Sequence, residues 1–527
     1  MSDKFIICID LGTMGTKAAI VSTEGEILAK TLEESKLYYP KPGWVEQKPN
    51  EMFNSTLNTI KTVVKETGIS SDKIAAIGIS GQMAGIMGID KNWKAVTHYD
   101  SWLDNRCQLY VEEIKSKGEE RYITANGMPV TIAYAAKILW WKNQKPGIYN
   151  QIYKFIHPAG YVAGKLSGLK GKDAFIDYTY LHFSGVCNNR KMKWSKEMLN
   201  LLEIPLDKMP NIVKPWDVVG ELCSKAAEKC GLKAGIPIVA GAGDAIVSFI
   251  GSGLIEPGIL IDLAGTASIL ACCVEDYRPD IKNKTLLFPR SVDPNYWYPH
   301  AYIGGGGLCL RWFRDTFATE EKEEFRDKGV SSYYLLDEMA AKITPGSDGL
   351  VFLPHLAGRT YPADSKVKGT WIGFSWSHKK AHFYRSILES IAYEYRYYFR
   401  IIKELFPETN YSEVRVIGGG CKSNLWNQIK ADVLGIPYVQ INEEDVGLIG
   451  LAMTAAKGVG LIDDISKNIR NIIKPRVKYE PRDKHHKYYQ SYADLYEGLF
   501  KNINSTFSEL SKISELPNPQ ESGDLQK

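Results

Sequence analysis

The stretch VAGAGDAIVS, residues 239–248, holds one aspartate among small and apolar residues. A carboxylate in such surroundings is costly unless it is paired, hydrogen-bonded or put to chemical use. The plain reading of Asp244 is a helix N-cap or a turn residue; the other is that its carboxylate is put to use. Asp10 stands just before a Gly-Thr turn in IICIDLGTMGTKAAIV (6–21), and GILIDLAGTASILACCV (258–274) repeats the pattern. In both, an apolar strand leads through Ile-Asp-Leu and Gly-Thr into a second apolar strand. Glycine turns let successive backbone N–H groups point at one anion, and a threonine hydroxyl adds a donor. Thr13 in the first hairpin and Gly265 and Thr266 in the second are therefore candidates for holding a polyphosphate, although an ordinary β-turn explains either hairpin alone. Asp10 suits a magnesium ion held through water.

A third glycine cluster lies in VRVIGGGCKSNLWNQIKADVLGIP (414–437), which predicts a strand, a loop and an amphipathic helix. Gly418, Gly419 and Gly420 would let a flat base or a ribose approach the backbone, with Ser423 and Asn424 at the helix start to hydrogen-bond it. The alternative is a plain connection with Asn424 as the cap. Neither the phosphate-loop pattern G-x-x-x-x-G-K-[ST] nor G-x-G-x-x-G is present, so any ATP must be bound by paired hairpins. His378 and His382 have zinc-like spacing but lack the glutamate of H-E-x-x-H and are set aside as a metal site.

The elements that position these residues are those of a soluble α/β protein. The chain has 527 residues, 44% hydrophobic and 24% charged, with a net charge of +4. That length implies two domains, and the small, dispersed charge argues against a nucleic-acid surface. Nine scattered cysteines form no disulfide framework, which suits a reducing cytoplasm. The start MSDKFIICID lacks a secretory signal, and the most apolar region, 236–274, is interrupted by Asp244, Glu256 and Asp262, so no membrane span is expected. Strand-like and helical segments alternate up to about residue 90 and again from 238 to about 460. A helix is expected near 51–66, helical pattern prevails over 103–237, and an amphipathic helix is expected over 484–510. The polar tail SELPNPQESGDLQK is expected to be disordered. Because the two echoing hairpins open the two halves of the chain, a duplicated domain is expected, with a boundary near 251–258. The domains read as 1–252, 253–483 and a C-terminal helix and tail, 484–527.

Taken together, these motifs resemble the FGGY carbohydrate kinases of the actin–hexokinase–Hsp70 superfamily. DLGTMGTKA looks like the first phosphate loop of that family and DLAGTAS the second. YYPKPGWVEQKP, KILWWKNQ and GTWIGFSWSHKKAHFYRSILESIAYEY resemble further family segments, and GGGCKSNLWNQIKADVLGIP the adenosine segment. The resemblance implies two actin-like, ribonuclease H-like α/β domains flanking an ATP and sugar cleft. It makes Asp244 the base that takes the proton from the sugar hydroxyl, and it implies ATP and magnesium as cofactors. Thr13, Gly15, Thr16, Lys17, Gly265, Thr266, Gly306, Gly419, Gly420, Ser423 and Asn424 would hold the nucleotide, with Asp10 at the magnesium.

ISGQMAGIMGID (79–90) resembles the xylulokinase branch, where Gly-Gln-Met-His-Gly is usual; Ala84 replaces the histidine. An alanine cannot read a hydroxyl, so the exact sugar is open. Met83 and Ala84 would face the sugar, Gln82 would hydrogen-bond the sugar or its own loop, Trp102 would lie against the carbon face or pack in the core, Asp104 would accept from the hydroxyls, and Arg106 would brace the loop. Tyr134 stands where the family has Pro, Ser or Thr, and Ala159 and Gly160 where it often has Asp. His157, Asp177 and His182 either reach the sugar or are satisfied structural groups. The expected activity is ATP-dependent phosphorylation of a ketopentose such as xylulose, or a related ketose. The alternatives are a polyol or acid-sugar kinase, or, in another class, a non-catalytic actin- or Hsp70-like ATP-binding switch or sensor. The expected partner is a small sugar, with no nucleic acid and no membrane; a homodimer is left open.

Overall fold

The computed structural model describes residues 4–514, apart from the side chains of 325–328 and 501. The tail expected to be disordered therefore lies, but for its first residue, outside the described residues. The chain packs as two units. The first takes residues up to 257 together with 272–299 and 442–474; the second takes 258–271, 300–441 and the chain from 475 onward. The first passage from one to the other comes after Pro257, and 272–299 and 442–474 return to the first unit.

Each unit is built on a six-stranded mixed sheet. In the first, β1 (Phe5–Leu11), β2 (Gly15–Ser22), β3 (Ile27–Glu34), β4 (Ile74–Gly81), β5 (Val218–Glu221) and β6 (Pro237–Val239) lie in the order β3-β2-β1-β4-β6-β5. The central β1, β4 and β6 are parallel, and the outer strands are antiparallel. FIICIDL in β1 is a nearly continuous buried run, as a parallel strand covered on both faces requires. ILAKTLEE in β3 alternates half-buried and exposed positions, as an edge strand does. Helix α1 (Pro49–Thr67) starts on proline and ends at Gly68, whose φ of 63° supplies the left-handed cap. It packs Leu57, Ile60 and Val63 over Ile7, Ile9, Ile77 and Ile79.

Helix α2 (Asp244–Gly251) follows β6 and lies against the helix Val446–Gly458. Glycines make this approach close: a Cβ on Gly251 would come within 1.9 Å of the Val446 carbonyl oxygen, and one on Gly450 within 2.1 Å of that of Val247.

In the second unit β7 (Ile259–Ala264), β8 (Ser268–Cys272), β9 (His300–Ile303), β10 (Glu413–Ile417), β11 (Tyr438–Ile441) and β12 (Pro475–Tyr479) run in the order β9-β8-β7-β10-β11-β12. β7, β10 and β11 are parallel. The echoing hairpins β1–β2 and β7–β8 thus hold the same place in two sheets of the same pattern. Three helices complete the second core: α3 (Lys380–Leu405), α4 (Asn424–Leu434) and the terminal α5 (Asp483–Ser514). α5 is held on α3 by buried polar pairs, Tyr489 to Glu389 and Tyr496 to Glu394. All nine cysteines are free thiols. Among the described residues no helix is long and apolar enough to cross a membrane.

Candidate active site

In the first unit Asp10 stands near the carboxyl end of β1 and Asp244 just beyond the carboxyl end of β6, parallel strands that flank β4, where open α/β sheets bind ligands. Asp10, near the end of β1, pairs in register with Lys17 on one side and Ser80 on the other. The Ser80 hydroxyl donates to its Oδ1 at 3.0 Å. Gly81 at the end of β4 bridges to Gly243, which is the N-cap position of α2 and precedes Asp244.

Asp244 is therefore the first residue of its helix and not the cap. Its Oδ1 accepts from the Ala245 N–H at 2.7 Å. Burial, and then the negative charge of Asp10, push its carboxyl up to about 7, against the lowering effect of that amide. Burial also raises Asp10, opposed by Ser80 and the Lys17 ammonium. Asp244 is thus a carboxylate made basic enough to accept a proton near neutrality. Asp10 is partly exposed with one oxygen tied to Ser80, a donor set that fits a hydrated magnesium ion better than a dehydrated one. Among the described residues no cluster of three or more metal-ligating side chains occurs.

The strand-end loop 81–85 does not present all of its side chains as expected. Gln82 is buried, donating to Gln47 Oε1 at 2.7 Å and accepting from Thr13 Oγ1 at 3.3 Å. It is a strut between loops and not an exposed sugar contact. Met83 packs on Gly243, where a Cβ would meet its sulfur and terminal methyl at 2.4 Å. Ala84 is partly exposed and holds a left-handed backbone, φ 61°. Trp102, also partly exposed, donates its indole N–H to Thr13 Oγ1 at 2.8 Å.

Asp104 is corrected by the structure. It is fully buried, and its oxygens accept from the Val45 N–H at 2.7 Å and from the Arg106 backbone N–H and guanidinium. Arg106 also reaches Glu46 at 2.7 Å and lies 3.8 Å from the centroid of the Trp44 ring. The acid is spent on the brace and offers nothing to a hydroxyl. From the KILWWKNQ segment, the buried Lys137 ammonium donates to the Ser101 and Asp104 carbonyls at 2.9 and 3.0 Å. Trp141 donates to Asp100 at 2.6 Å. These two anchors fix the loop that carries Trp102.

The first hairpin is likewise more structural than expected. Thr16 is buried and its hydroxyl meets that of Ser55 on α1 at 2.7 Å, so it faces the core and not an anion. The Lys17 ammonium pairs with Asp445 at 2.9 Å. Gly15 is required by packing, since a Cβ there would lie 2.7 Å from Leu32 and 2.8 Å from the Glu33 carbonyl oxygen. Of this set, Thr13 alone sits on the turn with its hydroxyl tied to both Trp102 and Gln82.

In the second unit Gly265, Thr266, Gly419, Gly420, Ser423 and Asn424 line one cavity of 910 Å³, a size usual for small-molecule sites. Gly418, at φ 83°, crosses over the Ala264 carbonyl oxygen, which a Cβ would approach to 2.9 Å. Gly419 faces open space. Ser423, and not Asn424, is the cap of α4: its hydroxyl accepts from the Trp426 N–H at 3.0 Å and donates to Asp337 at 2.6 Å. Asn424 lines the cavity, and its Oδ1 accepts from the Tyr479 hydroxyl. Gly306 is corrected: a Cβ there would meet Ser268 Oγ at 1.8 Å, so it serves close helix–strand packing, and its neighbour Gly307 lines the cavity. Asp337, which the sequence did not suggest, also lines it; burial pushes its carboxyl up to about 6 against bonds from Ser423 and Tyr384.

The aspartate that echoes Asp10 in the second hairpin, Asp262, is sealed. It is fully buried, pairs with the equally buried Lys430 and accepts from the Tyr395 hydroxyl at 2.6 Å. His157 stacks on Tyr180 at 4.2 Å, and its Nδ1 accepts from the Gly160 N–H. On the segment before Tyr180, Thr179 accepts from the Gly243 N–H, on the backbone ahead of Asp244, and Asp177 accepts from the Thr179 N–H. His182 Nδ1 lies 3.1 Å from the Thr179 carbonyl oxygen.

Comparison with known proteins bears directly on this arrangement. The N-terminal domain of the FGGY family of carbohydrate kinases matches residues 5–251, and the C-terminal domain of that family matches 263–459. The chain is 30% identical over 517 residues to a xylulose kinase of Staphylococcus epidermidis, covering 98% of this chain and 100% of that one. It is 26% identical to a gluconokinase of Bacillus subtilis, over 96% of this chain and 98% of the relative. The crystal structure of a ligand-bound xylulose kinase from Lactobacillus acidophilus superposes with a TM-score of 0.87 at 25% identity, covering 96% of this chain and 100% of that one.

Proposed function

This chain belongs to the FGGY family of carbohydrate kinases, and from that premise we propose that it transfers phosphate from ATP to a hydroxyl of a ketopentose such as xylulose, or of a related ketose. Asp244 is the general base and Asp10 the seat of a magnesium ion held through water. The observation that carries the proposal is the placing of two carboxylates at the carboxyl ends of the parallel strands on either side of β4, with Asp244 pushed up to about 7 by burial and by Asp10.

Phosphoryl transfer asks a protein chiefly for positioning and charge neutralisation. Asp244 accepts the proton of the attacking hydroxyl, and such a base is worth about 10² to 10⁴ in rate. Magnesium, when bound, neutralises charge on the phosphates. Thr13 contributes a hydroxyl on the first hairpin; Gly265, Thr266, Gly419 and Asn424 line the cavity that would take the nucleoside end of ATP. Met83, Ala84 and Trp102 are the sugar-facing groups, and the protein is proposed to act in the cytoplasm.

The choice of ketose is supported by the xylulose kinases among the similar proteins. An acid sugar is the second reading, favoured by the gluconokinase relative and by Ala84 at the position where the resemblance leads one to expect histidine. The relatives described above are all named as kinases, and no observation favours a switch or sensor. The deciding experiment is ADP release with D-xylulose, D-gluconate and glycerol, with Asp244→Asn beside the native protein. Sugar-dependent release that the variant loses is expected; release that is indifferent to every sugar would overturn the proposal.

A further inference from the structure

The backbone just ahead of Asp244 is gripped by a segment far away in sequence. Asp177 closes the strand Phe175–Asp177 and caps the short helical turn Tyr178–Ser184. Its Oδ1 accepts from the Thr179 N–H at 2.9 Å and also from the Thr179 hydroxyl. Because the hydroxyl proton is committed to the carboxylate, the oxygen of Thr179 is left as an acceptor. The Gly243 N–H donates to it at 3.0 Å.

Two residues on, the Tyr180 hydroxyl donates to the Gly81 carbonyl at 2.8 Å, and Gly81 is the strand partner of Gly243. Tyr180 is held flat by the stacked His157 ring, 16° from parallel. The other side of Gly243 is covered by Met83. Asp177, Thr179 and Tyr180 are all fully buried. Nothing in Asp177-Tyr178-Thr179-Tyr180 contacts the Asp244 carboxylate by a hydrogen bond, yet all three polar side chains bear on the backbone that aims it.

We propose that Asp177 and Thr179 form a positioning pair for the base: the carboxylate orients the threonine hydroxyl, the hydroxyl holds the Gly243 amide, and the amide sets the direction of Asp244. The proposal rests on Asp244 being the base. Without the hydroxyl, the buried Gly243 N–H loses its partner, and the backbone that restores one carries Asp244 with it. A displacement on the order of 1 Å at the reacting groups costs about 10²-fold in rate.

The test compares Thr179→Val, Thr179→Ser and Asp177→Asn in the full chain, with Asp244→Asn as reference. Turnover is followed on whichever of D-xylulose, D-gluconate and glycerol the native enzyme uses best. Thr179→Val is expected to lower kcat about 10- to 100-fold with both KM values within about twofold. Thr179→Ser, which keeps the hydroxyl, should stay near native, and Asp177→Asn should fall between the two.

Hydrogen exchange of the peptide spanning 242–247, read by mass spectrometry, supplies a measure independent of turnover. It should quicken in Thr179→Val and not in Thr179→Ser. Native kcat in folded Thr179→Val, or in Asp177→Asn should the valine variant not fold, overturns the pair. So does a loss confined to KM, or unchanged exchange at 242–247. Full activity in Asp244→Asn would instead overturn the assignment of the base and leave the exchange result to judge the grip itself.

Discussion

The indole N–H of Trp102 donates to the Thr13 hydroxyl at 2.8 Å, so a side chain assigned to the sugar holds one assigned to the phosphates. Thr13 passes the link on to Gln82, and Gln82 to Gln47. Trp102→Phe keeps an aromatic face but removes the donor. Steady-state kinetics should show KM raised several-fold for both ATP and sugar, the net loss of one hydrogen bond being about 1 kcal/mol. A change confined to the sugar would mean that the link carries no coupling.

Asp244→Asn should lower kcat by about 10²- to 10⁴-fold, the usual worth of a positioned base. The same variant should be more heat-stable. In the folded protein Asp244 titrates at about 7, well above its ordinary 3.8. As pH rises between those values the unfolded carboxyl gives up its proton first, so this group weakens folding progressively, with the full effect above about pH 7. Melting curves at pH 8 should place Asp244→Asn about 1–3 °C above the native protein, and at pH 4 the gap should close.

The same elevation sets a pH profile. Protonated Asp244 cannot accept a proton, so kcat/KM should climb with pH through an acid limb near 7. Burial is the larger cause and Asp10 the next. Asp10→Asn should therefore move the limb to lower pH, measured on its residual turnover. An unmoved limb would mean that the two carboxylates do not sense each other.

Arg106 and Asp104 bear on stability. Arg106→Lys cannot reproduce the fork that spans Asp104 and Glu46 and lies on Trp44. Breaking a buried pair of this kind costs about 3–5 kcal/mol. Denaturant titration should show that loss, with KM for ATP little changed in the protein that remains folded.

Ala84 offers a way to turn specificity. Its left-handed backbone suits histidine better than most side chains. Ala84→His should raise the ratio of kcat/KM for D-xylulose over D-gluconate by about tenfold or more, since a site that hydrogen-bonds a hydroxyl discriminates strongly. Competition assays with both substrates would read the ratio directly.

Much of this site is legible in the sequence, and the rest is hidden for identifiable reasons. Asp10 and Asp244 stand out because their neighbours are apolar, and the 418–420 loop because three glycines stand in a row, of which Gly418 and Gly420 make its close approach to Ala264. Thr16 misleads because consecutive strand residues face opposite ways, and only register against Leu11 and Glu33 sends its hydroxyl toward α1. Asp104 misleads because its motif names the residue and not its partners: the Val45 amide, 59 positions away, is already there. Ser80, Thr179 and Asp337 leave no local mark, since each acts across contacts 64 to 86 residues apart in sequence. Gly306 and Gly307 are indistinguishable as letters; the first packs on Ser268, and the second packs on the Gly265 carbonyl and lines the cavity.

The sealed Asp262 has a consequence for how the two halves depend on the medium. In the second half Lys430 acts as a tethered counter-ion that no chelator or dilution can remove, and its neutrality is guaranteed by folding. In the first half Asp10 is held by the Ser80 hydroxyl, and the Lys17 ammonium that lowers it is partly exposed and paired with Asp445. One hairpin of the repeat has its carboxylate neutralised from within the fold, and the other leaves its carboxylate partly open to solvent. The same letter in two matching hairpins thus has two fates, a charge balanced inside the fold and a charge left within reach of solutes.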